Sequence, residues 1–112
     1  MPTDPAQELR AADLRRWRAE FVDAKATDAL QPRQREVVVG VVHRVRLNPG
    51  RGIEVTIEDG SGRLTASWTG RTRLPGVRLG AGLRLVGTVA QDRDGNLRMR
   101  NPEYGLVADP YR

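Results

Sequence analysis

The sequence lacks cysteine, and His43 is its only histidine. Disulfide bonds and metal sites built from thiolates or several histidines are therefore excluded. No apolar run approaches the roughly 18 residues that a membrane-spanning helix needs, and the polar N-terminal residues do not resemble a signal peptide. These features predict a cytoplasmic protein with no metal, no cofactor and no membrane contact.

Aromatic residues and lysine are scarce as well. The 112 residues include five aromatics, and Lys25 is the single lysine among 19 basic residues. The first thirty residues carry five basic and six acidic side chains, whereas the rest carry fourteen and eight. The net positive charge thus lies after residue 30. Arginine binds phosphate in a bidentate manner, although a GC-rich genome also favours arginine codons without any functional demand.

Residues 53–69, which read IEVTIEDGSGRLTASWT, form the most regular pattern in the sequence. Apolar and polar residues alternate on both sides of Asp59-Gly60-Ser61-Gly62, which is typical of two strands joined by a turn. When this hairpin is folded symmetrically, each apolar residue faces another, and a one-residue slip would break every pair. The predicted apolar pairs are Ile53 with Trp68, Val55 with Ala66, and Ile57 with Leu64.

A long strand is predicted before this hairpin. Residues 35–47, which read REVVVGVVHRVRL, exceed the usual strand length. Gly40 indicates a bend or bulge in the strand, as is needed where one strand joins two sheets. Strict alternation places His43 on the inward face of this strand, together with four valines. These are Val37, Val39, Val41 and Val45.

A second hairpin is predicted after a glycine-rich connector at residues 70–82. Its turn, Arg93-Asp94-Gly95, fits a three-residue loop with Gly95 in the left-handed conformation. That register places Val89 opposite Met99 and turns Arg98 outward. Both hairpins and the long strand then share one barrel interior. Its predicted members are Val39, Val41, Val55, Ile57, Leu64, Ala66, Leu85, Val89 and Met99.

Residues 6–26 are predicted to form an α-helix, with Asp4 or Thr3 as its N-cap and Pro5 in its first turn. Apolar residues at helical spacing form one stripe, which either covers the core of the barrel or docks a protein partner. The stripe consists of Leu14, Trp17, Phe21 and Ala24. We therefore expect a helix and linker at residues 1–32 and a β domain at residues 33–109. The oligomeric state does not follow from the sequence.

The order of one long strand and two hairpins predicts a mainly β protein, a five-stranded OB-fold barrel with an N-terminal α-helix. The segments DGSGRLTASW, LPGVRLGAGLRLVGTV and MRNPEYGLV resemble the OB-fold nucleic-acid-binding domain of small actinobacterial proteins. They are also similar to the wedge OB domain of RecG-like helicases. The resemblance covers residues 35–107 and implies binding of single-stranded or junction nucleic acid. The GxxxxGK[ST] loop of a helicase motor is absent from the sequence.

OB domains bind single strands with a basic groove and aromatic platforms. The predicted nucleic-acid-binding residues are Arg44, Arg46, Arg51, Arg63, Thr65, Trp68, Arg71, Arg73, Arg98, Arg100 and Tyr104. Trp68 and Tyr104 could instead belong to the core, and each arginine could simply be solvated. Glu54 and Glu58 on the outer face would repel phosphate.

No catalytic residues are predicted. Glu54 and Glu58 lie four residues apart on one strand, which separates them by ~13 Å. Paired carboxylates in acid–base catalysis stand roughly 5–10 Å apart. We therefore expect a non-enzymatic module that binds single-stranded DNA or RNA with little sequence preference. The alternative is a protein-interaction OB domain that docks to a larger DNA- or RNA-processing complex through its helix or barrel face, with Leu14, Trp17 and Phe21 as the helical contacts.

Overall fold

The computed structural model describes residues 4–111. In this part of the chain, an α-helix and a short 3-10 helix precede six β-strands. The helices are α1 (Pro5–Ala19) and the 3-10 helix Thr27–Ala29. The strands are β1 (Arg35–Asn48), β2 (Gly52–Glu58), β3 (Arg63–Thr69), β4 (Gly82–Gln91), β5 (Leu97–Arg100) and β6 (Glu103–Val107). None of the described helices is long and apolar enough to cross a membrane.

Five of the strands close into a ring. The order is β1, β2, β3, β5 and β4, and β4 pairs again with β1. The β3–β5 pair is parallel and the other pairs of the ring are antiparallel. The sixth strand, β6, pairs with the first half of β4 outside the ring. The sequence does not predict β6 as a strand, because Gly105 interrupts its apolar pattern and Pro102 directly precedes it.

The registers of both hairpins are confirmed. In the first, Ile53 faces Trp68, and the other two predicted apolar pairs form as well. In the second, Val89 faces Met99, and Gly95 has a φ of 84°. Seven of the nine predicted core residues are buried together inside the ring, because both hairpins point their apolar faces inward. They are Val55, Ile57, Leu64, Ala66, Leu85, Val89 and Met99.

The prediction that Val39 and Val41 line the barrel interior is wrong. Val38 and Val42 enter the barrel core, whereas Val39 and Val41 are buried on the opposite face of β1, beneath α1. The first half of β1 is apolar on both faces, so period-two alternation alone could not decide which face points inward. Each face of this half-strand belongs to a different core.

His43 is exposed rather than inward, because it follows Val39 and Val41 on the face of β1 that points away from the barrel core. It is also the unpaired residue of a bulge between Val42 and Arg44. A bulge adds one unpaired residue and reverses the facing of the residues after it. Val45 therefore pairs with Val55 on the barrel side, although it remains 39% exposed at the open end of the strand. Gly40, where the sequence predicts a bend or bulge, lies at a close approach between two strands. A Cβ there would lie 2.9 Å from the backbone oxygen of Glu58, so glycine permits the close crossing of β1 and β2.

The helix begins as predicted but ends at Ala19 rather than near residue 26. Asp4 accepts a hydrogen bond from the Ala6 backbone N–H at 3.0 Å, and Pro5 occupies the first turn. The later residues leave the helical path because they bond to the barrel. The Lys25 backbone N–H donates to the Val37 carbonyl at 2.8 Å. Propensity within the segment could not reveal that tertiary contact.

The apolar stripe of the N-terminal segment covers the barrel. Leu14, Trp17 and Ala24 are buried in one cluster with Val39 and Val41, and Phe21 packs against that cluster. The Trp17 indole N–H donates to the Ala108 carbonyl at 3.0 Å. The helical contacts proposed for a protein partner are therefore occupied within the chain itself. The division at residue 32 into two domains stays a prediction.

Asp59 fastens the linker to the first hairpin. Its carboxylate is fully buried and accepts hydrogen bonds from the Thr27 backbone N–H at 2.9 Å and the Thr27 hydroxyl at 2.7 Å. It also accepts from the backbone N–H groups of Ser61 and Gly62, as expected for an aspartate that caps its own turn. The bonds to Thr27 are long-range and could not be read from the turn motif.

Candidate nucleic-acid interface

The strands β1, β2, β3 and β5 present one continuous outer face. Their registers align two rows of side chains across the four strands. One row is Arg46, Glu54, Ser67 and Arg100; the other is Arg44, Thr56, Thr65 and Arg98. We call these eight residues the outer face. Three interstrand spacings separate its two arginine rims, a distance of roughly 14 Å.

The floor of the outer face, between the rims, is polar. The hydroxyls of Thr56 and Thr65 lie 2.9 Å apart and form a hydrogen bond. Glu54 and Arg98 form an ion pair in which Arg98 Nη2 donates to Glu54 Oε1 at 2.9 Å. Both side chains are about 30% exposed, so a ligand on the face would reach them. None of the eight side chains is aromatic.

The rims carry the charge of this surface. Arg44, Arg46 and Arg100 are exposed, and within residues 4–111 none of them forms an ion pair. Arg98 is balanced by Glu54. The outer face therefore has a net charge of +3 that is concentrated on two parallel edges. Unpaired guanidinium groups on the edges can bind an anion without first breaking a contact.

A corner formed by two loops lies next to the start of β2 and the end of β3. The Gly70 backbone N–H donates to the Arg51 carbonyl at 2.8 Å, which joins the β1–β2 loop to the connector after β3. The Arg71 guanidinium carbon lies 6.0 Å from the centre of the Tyr104 ring, within reach of a cation–π interaction. Tyr104 is half-buried. Arg73 is exposed further along the same connector.

Trp68 belongs to the core. Its side chain is 3% exposed, and its indole N–H donates to the Pro102 carbonyl at 2.9 Å. It also packs edge-to-face on Tyr104, with the ring centroids 5.8 Å apart. The core alternative is therefore correct for Trp68, which has no free face on which a base could stack. Tyr104 remains the single candidate platform among the predicted site residues, and Arg71 lies over it.

The opposite end of the first hairpin is closed by a charge cluster around Glu58. This buried carboxylate forms ion pairs with Arg10 at 2.7 Å and Arg63 at 3.5 Å, and His43 Nδ1 lies 3.7 Å away. A hydrogen bond with Tyr111 raises the pKa of Arg10 above its usual range; burial opposes this shift and Glu58 reinforces it. Arg63 is thus paired with an acidic group and differs from the unpaired rim arginines.

Sequence reasoning identified most of the outer face but not its arrangement. Arg44, Arg46, Thr65, Arg98 and Arg100 come together as two rims and part of the floor. The sequence predicts Glu54 on the outer face but does not predict that it lies in a floor between two rims. No signal in the sequence could reveal the contact between Glu54 and Arg98, because it depends on the parallel pairing of β3 with β5.

No protein-family model matches the sequence, and no curated protein matches it. Solved structures do resemble the fold. The OB domain of MM0293 from Methanosarcina mazei superposes with a TM-score of 0.62 at 16% identity, over 78% of this chain and 84% of that domain. A structure of a replication protein A heterotrimer bound to ssDNA gives 0.57 at 16% identity, over 80% of this chain and 75% of the other.

A third similar structure is the HINa domain of Ifi202 in complex with 20-bp dsDNA. Its TM-score is 0.61 at 14% identity, over 96% of this chain and 54% of that one. Identities this low establish the fold alone. The superpositions confirm the predicted fold class, a mainly β OB-fold barrel with an N-terminal helix.

Proposed function

We propose that this chain is a non-catalytic OB-fold module that binds single-stranded nucleic acid, DNA or RNA, across its outer face. The observation that carries the proposal is the pair of arginine rims, with three unpaired guanidinium groups, on either side of a polar floor. OB domains bind single strands in basic grooves of this kind. Two of the similar structures contain DNA, one single-stranded and one double-stranded, which supports the same class of ligand.

The affinity should be modest. Stacking of a base on an aromatic ring contributes about 1–3 kcal/mol, and the floor has no such ring. Binding then depends on phosphate contacts at Arg44, Arg46 and Arg100, with Arg51 and Arg71 at the loop corner. If roughly four of these contacts form, the log–log salt slope for a single strand is about −3, from ~−0.7 per contact.

The proposal also covers the lack of catalytic activity, the related OB domains and the cellular location. The separation of Glu54 and Glu58 along β2, ~13 Å for residues four apart on a strand, supports the proposal that the module is not an enzyme. A kinship with small actinobacterial OB proteins and with the wedge domain of RecG-like helicases belongs to the proposal, as does a cytoplasmic location. The resemblance of the three quoted segments supports the kinship.

Fluorescence-anisotropy titration tests the function directly. Labelled single-stranded DNA, single-stranded RNA and duplex DNA of equal length are titrated at several salt concentrations. The double variant Arg44→Gln/Arg46→Gln removes one rim and should flatten the salt slope from about −3 to about −1.5. Arg15→Gln/Arg16→Gln is the matched control, because it also removes two arginines, both on α1 and neither on the outer face. Binding that does not depend on salt, or that falls equally in both variants, would contradict the proposal.

The protein-docking alternative loses one of its two routes. Leu14 and Trp17 are buried against β1 and Phe21 packs beside them, so the helical stripe is not free for a partner. Docking through the barrel face would use the same rim arginines on an acidic protein. Nucleic-acid titration separates the two functions, because the docking reading expects no binding to any of the three probes.

A further inference from the structure

We infer that Glu54 makes the outer face prefer guanine over thymine and uracil. The inference rests on the proposed function, since it concerns which bases the same surface accepts. A preference for guanine would replace the expectation that the chain binds with little sequence preference. The argument has three steps: the position of the carboxylate, the donors that each base offers, and the way a base must meet this floor.

Glu54 stands in the floor between the two rims, opposite Ser67 on β3 and Arg46 on β1. Arg98 holds one of its oxygens, Oε1, at 2.9 Å. Within residues 4–111, the other oxygen, Oε2, has no hydrogen-bond partner. The side chain is 30% exposed. An oriented carboxylate with free acceptor capacity therefore faces the path that a strand would follow between the rims.

An ionised carboxylate only accepts hydrogen bonds. Guanine presents two adjacent donors, N1–H and the N2 amino group, which match the two oxygens of a carboxylate. Adenine and cytosine present one amino donor beside a ring nitrogen acceptor. Thymine and uracil present a single N3–H between two carbonyl oxygens, both of which a carboxylate repels. The four bases are thus ranked with guanine first and thymine or uracil last.

Arg98 extends the match to guanine. Its guanidinium is in contact with Glu54 Oε1 and is itself 29% exposed. Guanine carries an acceptor, O6, directly beside its N1–H. When N1–H and the amino group approach Glu54, O6 is presented to the neighbouring Arg98. The ion pair therefore offers donors and acceptors in the same order as the guanine edge requires.

The floor favours reading of base edges over stacking on base faces. Its centre is made of Glu54, Ser67 and the hydrogen-bonded Thr56–Thr65 pair, and Trp68 is buried beneath it. The negative charge of Glu54 repels phosphate, which keeps the backbone at the arginine rims and turns the bases toward the floor. Sequence-specific recognition of single strands uses the Watson–Crick edges of such splayed bases.

The test uses the intact chain and four twelve-nucleotide probes in anisotropy titrations. One is oligothymidine; the others carry, at two central positions, guanine, inosine or 7-deazaguanine. Inosine lacks the N2 amino group, and 7-deazaguanine lacks only N7, on the other edge of the base. We expect about tenfold tighter binding to the guanine probe than to oligothymidine, as for a bidentate base contact. 7-Deazaguanine should keep that gain, and inosine should lose most of it.

Glu54→Gln should bring the guanine-to-thymine ratio near one, while binding to oligothymidine strengthens because a negative charge is removed. Glu103→Gln makes the same charge change on the exposed β6 and should keep the wild-type ratio. Equal, salt-dependent binding of all four probes by the wild type would refute the base preference and leave the proposed function intact. Absence of binding to every probe would refute both. The inosine comparison needs no variant, so it decides the matter even if Glu54→Gln does not fold.

Discussion

The buried carboxylate of Asp59 is expected to stabilise the whole fold more than any exposed ion pair. Its two oxygens accept five hydrogen bonds from Thr27, Ser61 and Gly62, at distances from 2.7 to 3.2 Å. A hydrogen bond to a charged group contributes ~1.5–3 kcal/mol, and breaking a buried charged network costs about 3–5 kcal/mol in total. Asp59→Ala should therefore lower the free energy of unfolding by about 4 kcal/mol.

Asp59→Asn should cost less, because the five bonds are not shared equally. Oδ1 accepts four of them and Oδ2 accepts only the Thr27 backbone N–H. An amide can keep its oxygen at the first position and turn its nitrogen toward Thr27, which loses one bond, or about 1–2 kcal/mol. Asp92→Ala is the matched control. Asp92 caps an exposed hairpin turn by accepting hydrogen bonds from the backbone N–H groups of Asp94 and Asn96. Its replacement by alanine should lower the free energy of unfolding by about 1 kcal/mol or less.

Urea denaturation followed by circular dichroism measures the free energy of unfolding of all three variants, and thermal melts give their melting temperatures. At ~4 °C per kcal/mol for a chain of this size, Asp59→Ala should melt about 15 °C below the wild type. Below the melting transition its salt slope on single-stranded DNA should be unchanged, because Asp59 lies inside the fold and not on the outer face. An Asp59→Ala protein that melts like Asp92→Ala would refute the reasoning that the linker is held by this carboxylate.

Two further predictions follow from contacts of the N-terminal segment. Arg84 holds the pKa of the Asp23 carboxyl below its ordinary value of 3.8 through a hydrogen bond. This pair therefore contributes stability that is present above pH 3.8 and is lost as the pH falls through the lower, folded-state pKa. An NMR titration should show the lowered pKa of Asp23, and Arg84→Gln should return that pKa toward its ordinary value. Deletion of residues 1–30 exposes Val39 and Val41, so the remaining barrel should keep its strand signal in circular dichroism but melt more than 10 °C lower, as several kcal/mol of lost burial implies. An unfolded truncated chain would show that the boundary predicted at residue 32 does not separate two domains.

The hairpins could be read from the sequence because each supplies two independent constraints. Alternation fixes which residues share a face, and apolar partners on the opposite strand fix the register. Val55 opposite Ala66 and Val89 opposite Met99 satisfy both constraints. The left-handed Gly95 adds a third, since it defines the loop length.

The first strand could not be read in the same way. Val38 and Val39 point to opposite faces of β1, and both are apolar. The face that turns toward the barrel therefore depends on where α1 packs. The bulge at His43 has no marker in the sequence, because Gly40 lies three residues earlier and serves the crossing with β2. The end of α1 likewise depends on the bond between Lys25 and Val37. In each case a long-range contact overrides the local pattern.

The outer face shows how such long-range pairing creates a possible site from residues that look ordinary in sequence. Arg98 and Arg100 are separated from the first hairpin by the whole of β4, yet the parallel pairing of β3 with β5 sets them beside Thr65 and Ser67. That pairing turns scattered arginines into a second rim and brings Arg98 to Glu54. The glutamate then has two effects: it neutralises one cation, which limits binding of the backbone, and it offers an oriented acceptor to the bases. Charge count alone would register only the first effect, and geometry supplies the second.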